Sequence, residues 1–276
     1  MLVLGQINSL TVLRSTSVGL FLGDEDGNDV LLPNKYVDQD MSIGDTIDVF
    51  VYKDFEQRWV ATTLTPFIQA NEFGYLRVRH ATEIGAFLEC GLEKDVFVPF
   101  KEQTQKMLAG HKYVVYLYVD KQTERLVASA KINRFLNNET LTVDAGDEVN
   151  LLIFETTPLG YNAIINKQHK GLIYHNEIFQ DVQIGDELKG YIKAIREDHT
   201  IDISLQPKGR QRLEEGAETI LMYLNKHKGF LPLHDKSDAE DITRLLKMSK
   251  KTFKKSVGTL YKARLVKLEE NGVRLI

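Results

Sequence analysis

The sequence predicts a mainly β protein with an α+β C-terminus: three small five-stranded barrels in tandem, followed by a compact, partly helical unit. Three observations lead to this fold class. A pattern that begins with glycine recurs along the first 207 residues. The runs between its glycines are short and rich in β-branched and aromatic residues, as strands are. After residues 206–210 the apolar residues recur at helical spacing instead.

The repeat is clearest in two stretches that lie 66 residues apart. Residues 19–33 read GLFLGDEDGNDVLLP and residues 85–99 read GAFLECGLEKDVFVP, so that glycine, Phe-Leu, Asp-Val and proline recur at equal offsets. A third copy starts at Gly160. In every copy another glycine follows the first by 25 residues, at Gly44, Gly110 and Gly185. Equal spacing in three copies indicates three structural units of one kind.

Each unit contains several short runs of strand-forming residues, separated by turn-forming residues such as DEDGN and MSIGD. The second unit shows five such runs: YLRVRH, GAFLEC, VFVPF, KYVVYLYV and RLVASA. About five strands in about 65 residues make a small closed or partly closed barrel. The predicted domain boundaries are 1–66, 67–139 and 140–207 for the three barrels and 208–276 for the last domain.

These units resemble the S1 RNA-binding domain, a five-stranded OB-fold. The resemblance rests on the order Gly-x-Phe-Leu, Gly-Leu-Ile-x-His-x-Glu, Ile-Gly-Asp and a final strand Asp-Ile-Ser-Leu. The third unit has KGLIYHNEI at 170–178, IGDELKGYI at 184–192 and IDISL at 201–205, and the second has IGAFLE at 84–89. The first and second units replace the Gly-Leu-x-His region with DVLLP and DVFVP.

The C-terminal segment 208–276 combines helices with strands. Apolar residues at helical spacing predict a first helix; they are Leu213, Ala217, Ile220, Leu221 and Leu224. GFLPL then predicts a short strand. Ser237 and Glu240 predict a capping box at the start of a second helix, and Ser249 is predicted to cap a third. The apolar face of that third helix consists of Phe253, Val257 and Leu260.

The last thirteen residues, RLVKLEENGVRLI, predict a hairpin with a type I′ turn at Asn271-Gly272. Helix, strand, two helices and a hairpin in this order are the layout of a winged helix-turn-helix domain. Three S1-like units followed by a winged helix, in a chain of 276 residues, resemble the CvfB (YitL) family of bacterial RNA-binding proteins. The resemblance implies a regulator of virulence-gene expression without catalytic activity.

Charge is distributed unevenly along the chain, whose net charge is −4. The last domain has 16 Lys and Arg against 9 Asp and Glu, a net charge of +7, whereas the first and third units each have −6 and the second +1. A basic segment in an acidic chain indicates an anionic partner. The first unit, with DEDGND in one loop, repels phosphate, so we expect it to be structural or to contact protein.

Composition and motifs argue against several classes of protein. No apolar run approaches the ~18 residues of a membrane span, and the N-terminus lacks the basic region of a signal peptide. The single cysteine, Cys90, excludes an internal disulfide. We therefore expect a cytoplasmic protein. Because the sequence has no phosphate-binding glycine loop and no His-x-x-x-His pair, we also expect no enzyme, cofactor or metal.

Candidate RNA-binding residues come from three regions. In S1 domains the binding face takes the aromatic residue of the Gly-x-Phe strand and side chains of the Gly-Leu-x-His strand, and basic residues contact phosphates. Carried over, the aromatic positions are Phe21 in the first unit and Phe87 and Phe97 or Phe100 in the second. The basic candidates of the second unit are Arg77, Arg79 and Arg125. In the third unit the candidates are Tyr161, Tyr174 and His175, with Lys167, His169 and Lys170 in the intervening loop. In the third helix and just beyond it they are Lys250, Lys251, Lys254, Lys255, Lys262 and Arg264.

Each candidate set has a structural alternative. Strand side chains alternate between the two faces, so the phenylalanines are candidates for the barrel core as well. A charged helix face is often simply solvated. The function predicted from the sequence is binding of single-stranded RNA by the second and third units and the winged helix. Duplex-DNA binding through the winged helix, with the barrels as scaffold, and a role as a protein–protein adaptor remain open alternatives.

Overall fold

The computed structural model describes residues 1–54, 56–207 and 209–276. The chain forms two compact units, Met1–Leu136 and Asn137–Ile276. The first contains two closed β-barrels, and the second contains one closed barrel followed by a winged-helix domain. Among the described residues, no helix is both long enough and apolar enough to cross a membrane.

Barrel 1 consists of five strands in the order of an OB-fold. The fifth strand lies between the third and the fourth, parallel to the third and antiparallel to the fourth. The first strand pairs with both the second and the fourth, which closes the barrel. The strands are β1 (Ile7–Thr16), β2 (Gly19–Gly23), β3 (Asp29–Pro33), β4 (Thr46–Lys53) and β5 (Trp59–Thr62).

Barrels 2 and 3 repeat this strand order, which confirms the predicted fold class of three tandem five-stranded barrels. The first strand of every barrel has an irregular register, typical of a β-bulge, that helps it bend and pair on both sides. The strands of barrel 2 are β6 (Glu72–Ala81), β7 (Gly85–Leu88), β8 (Val96–Pro99), β9 (Lys112–Val119) and β10 (Leu126–Ser129). Those of barrel 3 are β11 (Glu148–Thr157), β12 (Gly160–Ile165), β13 (His169–Tyr174), β14 (Glu187–Ile195) and β15 (Ile201–Ser204).

The repeated glycine is required by close packing between the second and third strands of each barrel. A Cβ atom on Gly19 would lie 2.0 Å from the carbonyl oxygen of Leu32, and one on Gly85 would lie 2.4 Å from that of Val98. Both glycines also have a φ near +150°, a conformation that side chains rarely adopt. The most regular feature of the sequence thus marks the place where two strand backbones come closest.

The winged-helix domain packs three helices against a small sheet. Its elements are α1 (Gly209–Lys226), β16 (Phe230–Leu231), α2 (Ala239–Leu246), α3 (Lys250–Lys262), β17 (Val266–Glu269) and β18 (Gly272–Leu275). The sheet order is β16-β18-β17. The predicted apolar face of α3 is confirmed, since Phe253, Val257 and Leu260 are buried in one cluster with α1 and α2. The predicted cap is confirmed too, because the Ser249 hydroxyl accepts a hydrogen bond from the Thr252 amide at 3.1 Å.

Two predictions of local structure in this domain are wrong. Helix α2 begins after Asp238, and the Ser237 hydroxyl accepts a hydrogen bond from the His234 amide instead of capping the helix. The hairpin turn consists of Glu270 and Asn271, neither of which has the positive φ that a type I′ turn requires. In both cases the observed feature lies one residue away from the predicted position.

Candidate nucleic-acid interface

An aromatic pair lies on the outer face of barrel 2. Strands β7 and β8 pair so that Phe87 lies directly opposite Phe97, with their ring centroids 5.0 Å apart. Ala86 and Leu88 are buried in the core, so the alternation of β7 turns Phe87 outward. Both rings are half-buried. Half-exposed rings on a barrel of this type are suitable platforms for stacking bases.

The repeated glycine aligns the three barrels and shows that only barrel 2 has this pair. At the equivalent positions Phe21 lies opposite Leu31 in barrel 1, and Asn162 lies opposite Leu172 in barrel 3. The guanidinium of Arg14 lies 4.0 Å from the centroid of the Phe21 ring and covers it. The three barrels therefore differ at these positions. Barrel 1 has one ring that an arginine covers, barrel 2 has two uncovered rings, and barrel 3 has no aromatic ring.

A cleft of about 610 Å³ opens in front of the aromatic pair, between barrels 1 and 2. Phe87, Phe97 and the sequence-predicted Arg125 line it on the barrel 2 side. Tyr36 and Tyr52 of barrel 1 line it as well, although barrel 1 was expected to be structural or to contact protein. The structure thus brings residues of the first and second barrels together around one cavity.

The other two predicted arginines of barrel 2, Arg77 and Arg79, lie on β6, beside the aromatic pair in the sheet. Arg79 is paired with Glu89 at 2.7 Å, and its Nε lies 3.7 Å from Asp95. Arg77 is exposed and forms no ion pair within the described part of the chain. Of these two predicted phosphate contacts, Arg77 is free to meet an anion, whereas Arg79 would first have to leave its carboxylates.

An apolar residue lies at the tip of the first hairpin in every barrel and was not predicted as a candidate from the sequence. Val18, Ile84 and Leu159 directly precede the repeated glycines and are 56%, 65% and 62% exposed. Ile84 also lines the cleft with Phe87 and Phe97. The available signal was an apolar residue immediately before each repeated glycine, in a turn where polar residues are usual.

In barrel 3 the predicted aromatic residues are held by neighbouring groups. Tyr161 is half-buried and packs against the core of the barrel. The hydroxyl of Tyr174 lies 2.6 Å from the guanidinium of Arg196, which also forms an ion pair with Asp202. His175 is exposed, and its Nε2 donates a hydrogen bond to the carbonyl oxygen of Thr157 at 3.2 Å. Tyr174 and His175 therefore remain accessible, but within existing polar contacts.

His169 was predicted to lie in a loop and is instead the first residue of β13, where it is 2% exposed. The Thr142 amide donates to its Nε2 at 3.2 Å, so the ring carries its proton on Nδ1 and donates to the carbonyl oxygen of Asn137. Its side chain therefore connects strand β13 by hydrogen bonds to Asn137 and Thr142, in the segment that precedes barrel 3. The loop placement was wrong because the strand extends further back than the motif indicates.

The two lysines predicted beside His169 have different environments. Lys167 is exposed in the β12–β13 turn and has a φ of 61°. Lys170 is half-buried on β13, where its amide donates to Asn138 Oδ1 at 2.8 Å and its ammonium group lies 5.8 Å from the Phe154 ring centroid. Of these two lysines, Lys167 is therefore the more exposed.

Helix α3 presents a basic surface, which we call the lysine face: Lys250, Lys251, Lys254, Lys255 and Lys262. All but the half-buried Lys250 are exposed. None of the five forms an ion pair with any residue that the structure describes, and the same holds for the exposed Arg264. Many other lysines and arginines of the described chain are paired with carboxylates, as Arg79, Lys189 and Arg196 are. The lysine face is therefore an unneutralised positive surface.

Two further residues belong to this surface and were not predicted from the sequence. At about 100° per residue, Gly258 falls in the middle of the arc formed by the lysines, and Tyr261 falls inside it. A Cβ atom on Gly258 would meet nothing within 4 Å, so the helix itself does not require glycine there. Tyr261 is 55% exposed. The signal in the sequence was the i, i+4, i+7 spacing of Lys254, Gly258 and Tyr261.

The wing carries no such excess of charge. Lys267 and Arg274 both bind the carboxylate of Glu269, at 3.1 and 2.9 Å. The hydrogen bond from Arg274, and then that from Lys267, lowers the pKa of Glu269 below its usual value. The basic character that the sequence indicated near the wing therefore ends at Arg264, and helix α3 carries the positive surface.

Family models match both parts of this architecture. The model described as "S1 domain" matches residues 4–64 and 72–131, which are barrels 1 and 2, and the model "CvfB-like winged helix domain" matches residues 218–275. The protein YitL of Bacillus subtilis is 29% identical over 97% of this chain and 92% of its own length. The chain is therefore similar to the CvfB (YitL) proteins over nearly its whole length. The resemblance predicted from domain order is thus confirmed.

Further relatives carry the family name. Conserved virulence factor B of Staphylococcus saprophyticus is 23% identical over 99% of this chain and 94% of its own length. A crystal structure of a multidomain protein with nucleic acid binding domains from Streptococcus pneumoniae is 25% identical and covers 99% of this chain and 98% of its own, with a TM-score of 0.43. S1 domains and winged helices are domains that bind nucleic acids. The two family matches therefore support nucleic-acid binding by this chain.

Proposed function

We propose that the chain binds single-stranded RNA and thereby regulates gene expression. The observation that carries the proposal is the outward pair Phe87–Phe97 on barrel 2, with its rings 5.0 Å apart. In a duplex the faces of the bases are covered by their neighbours, whereas an unpaired strand can lay its bases on such rings. An aromatic pair on a barrel face therefore favours a single strand as the ligand.

The lysine face supplies the electrostatic part of the affinity. Lys250 and Lys251 lie in the first turn of α3, where the helix dipole disfavours positive charge, and they stand four residues before Lys254 and Lys255. Like charges at this spacing repel each other. The arrangement costs the isolated domain stability, and a bound polyphosphate strand would offset that cost. Phosphate contacts release counterions, so the affinity is expected to fall steeply with salt.

The names of the relatives support a regulatory role for the chain. Staphylococcal members of the family are named conserved virulence factor B. A chain with nucleic-acid-binding domains along its length and without a recognisable catalytic motif fits a regulator better than an RNA-processing enzyme. We extend the virulence-related role to this chain as part of the proposal.

The proposal is tested by fluorescence anisotropy with the full chain and labelled single-stranded RNA at several salt concentrations. Phe87→Ala is expected to weaken binding by about 5- to 100-fold, because one stacking platform is removed. Phe21→Ala is the matched control, since it removes the equivalent ring of barrel 1, which Arg14 already covers. No binding of the wild-type chain at low salt, or equal effects of the two variants, would contradict the proposal.

A second candidate function is recognition of duplex DNA by helix α3. The observation that favours it is the unpaired lysine face on the third helix of a winged helix, the element that enters the major groove in many helix-turn-helix proteins. Competition between unlabelled duplex DNA and labelled single-stranded RNA separates the two functions. Displacement of RNA by equimolar duplex, together with an unaltered affinity of Phe87→Ala, would favour DNA.

A further inference from the structure

The walls of the cleft between barrels 1 and 2 come from both domains. On the barrel 2 side they include Phe87, Phe97 and Tyr118. On the barrel 1 side they include Tyr36, Tyr52 and Leu64. The volume of about 610 Å³ falls within the range of roughly 300–1,000 Å³ in which pockets bind small organic groups. A flat aromatic ligand entering this space would meet rings or apolar side chains on both sides.

The two barrels are joined firmly enough to keep this cleft in shape. The Ala70 amide donates to the carbonyl oxygen of Gly5 at 2.7 Å, and the Ile7 amide donates to Gln69 Oε1 at 2.8 Å. Gly5 has a φ of +76°, and a Cβ atom there would lie 2.7 Å from the Ala70 side chain. On one side, barrel 1 thus contacts barrel 2 through hydrogen bonds made by the backbone groups of Gly5 and Ile7.

Two ion pairs connect the barrels beside the cleft. Lys35 of barrel 1 pairs with Glu93 of barrel 2, and Lys53 pairs with Glu124. Glu93 and Lys53 themselves line the cavity. The cleft is therefore flanked by contacts that belong to the folded unit.

The lining carries charged side chains but no excess of either charge. Four cationic and four anionic side chains line the described cavity. Burial, and to a lesser extent the neighbouring Tyr36, raises the pKa of Tyr52 to about 12, so its hydroxyl is neutral and can donate a hydrogen bond. A balanced lining with neutral hydroxyls suits a nucleobase and its ribose, and it gives little attraction to a cluster of phosphates.

We propose that this cleft binds one nucleobase, stacked on Phe87 and Phe97, and that barrel 1 forms the opposite wall through Tyr52 and Leu64. The inference rests on the proposed function for its ligand. It adds a role for barrel 1 that the acidic composition of this barrel does not indicate. The base can belong to a nucleotide within a single strand or to a free mononucleotide. The phosphates remain outside the cleft in both cases.

The experiment changes barrel 1 alone and leaves the aromatic pair intact. Leu64→Trp enlarges a 36% exposed side chain at the cleft and fills it from the barrel 1 side. It is expected to weaken the affinity for single-stranded RNA by about tenfold or more, the effect of removing one stacked base. Tyr52→Phe removes one hydroxyl and is expected to weaken binding by about fivefold. Leu13→Trp is the matched control, because Leu13 is a 46% exposed leucine of barrel 1 outside the cleft.

The two sources of the base are separated by a second measurement. Saturation-transfer NMR with the four ribonucleoside 5′-monophosphates reports binding of free nucleotides to the wild-type chain and to Leu64→Trp. Weaker RNA binding by Leu64→Trp supports a base within a strand. Loss of mononucleotide binding with unchanged RNA affinity supports a free nucleotide.

The measurements can overturn the role of barrel 1 while the proposed function stands. Unchanged RNA and mononucleotide binding by Leu64→Trp and Tyr52→Phe, with weakened RNA binding by Phe87→Ala, would overturn the role of barrel 1 and leave the proposed function intact. An equal loss of affinity in Leu13→Trp and Leu64→Trp would overturn it too. A wild-type chain that binds neither RNA nor mononucleotides would contradict both proposals.

Discussion

At the scale of single residues, burial separates two histidines that the sequence places in one candidate site. His169 is 2% exposed and connects Thr142 to Asn137 by hydrogen bonds, whereas His175 is exposed beside Tyr161. The motif cannot distinguish them, because both lie within seven residues of one strand and turn. Only the strand register shows which ring faces the interior.

His169→Ala is therefore expected to destabilise the protein without affecting RNA contacts directly. Removal of this buried ring leaves a cavity and breaks its hydrogen bonds to Asn137 and Thr142, at a cost of about 2–4 kcal/mol in the free energy of unfolding. Urea denaturation measures this, and His175→Ala is the control, with an expected change within about 0.5 kcal/mol. RNA affinity that falls for His169→Ala at unchanged stability would show that the ring contacts the ligand.

Gly258 is a second residue whose role depends on its surroundings. Glycine inside a helix costs about 0.5–1 kcal/mol relative to alanine, and here no neighbour obstructs a Cβ atom. A glycine at the centre of the lysine face allows a phosphate backbone to approach the helix closely. Under the proposed function, this position would favour binding at the expense of helix stability.

Gly258→Ala is expected to raise the free energy of unfolding by about 0.5–1 kcal/mol and to weaken RNA binding. Thermal denaturation and anisotropy measure the two effects. Thr259→Ala serves as the control, because Thr259 is exposed on the same helix outside the lysine arc. If Gly258→Ala stabilised the protein and bound RNA as tightly as the wild type, the helix surface would not lie against the strand.

At the scale of elements, the charge on the solvent-facing side of a helix or hairpin decides how strongly that element attracts an anion. Helix α3 buries Phe253, Val257 and Leu260 and turns its unpaired lysines to solvent. The neighbouring wing has basic residues too, but Lys267 and Arg274 both pair with Glu269, and Glu270 brings the net charge of the wing to zero. Two elements with similar composition therefore differ in their attraction for an anion.

Reversal of the lysines at 250, 251, 254 and 255 to glutamate is expected to weaken RNA binding strongly. The slope of log affinity against log salt should also become shallower, by about 0.7 for each phosphate of a single strand that the variant no longer neutralises. Among single variants, Lys254→Glu should weaken binding more than Lys267→Glu, since Lys267 is already paired with Glu269. An unchanged salt slope in the fourfold variant would exclude the lysine face from the interface.

The outer faces of the barrels show the same dependence on register. Phe21, Phe87 and Asn162 occupy equivalent positions after the repeated glycine, yet they present a covered ring, an uncovered ring and a buried amide. Sequence similarity is highest between the first two barrels, but the local surroundings of Phe21 and Phe87 differ. Similar strands therefore do not imply similar binding faces.

At the scale of the whole molecule, much of the architecture could be predicted from the sequence. The glycine spacing and the strand-forming runs predicted three barrels, and the helical apolar spacing predicted α1 and α3. These signals are local, because secondary structure depends on residues close in the chain. The type I′ turn and the capping box failed because a shift of one residue in a loop changes which backbone groups need partners.

The candidate site could be predicted only in part. The lysine face followed from helical spacing, since every residue of an exposed helix face has a fixed angular position. The cleft did not, because its walls join Leu64 and Tyr52 of barrel 1 to Phe87 and Phe97 of barrel 2. No pattern within one repeat unit contains information about packing against the next.

The amino-acid sequence was therefore sufficient to predict the number and order of the domains, most strands of each barrel and the basic character of the last domain. The tertiary structure alone decided that Phe87 and Phe97 face outward, that His169 is buried, and that an acidic first barrel lines a cleft with the second. The two kinds of property depend on residues at different separations along the chain. Strand and helix formation depend on neighbours in the sequence. Exposure and cavity walls depend on distant residues that closure and packing of the barrels bring together.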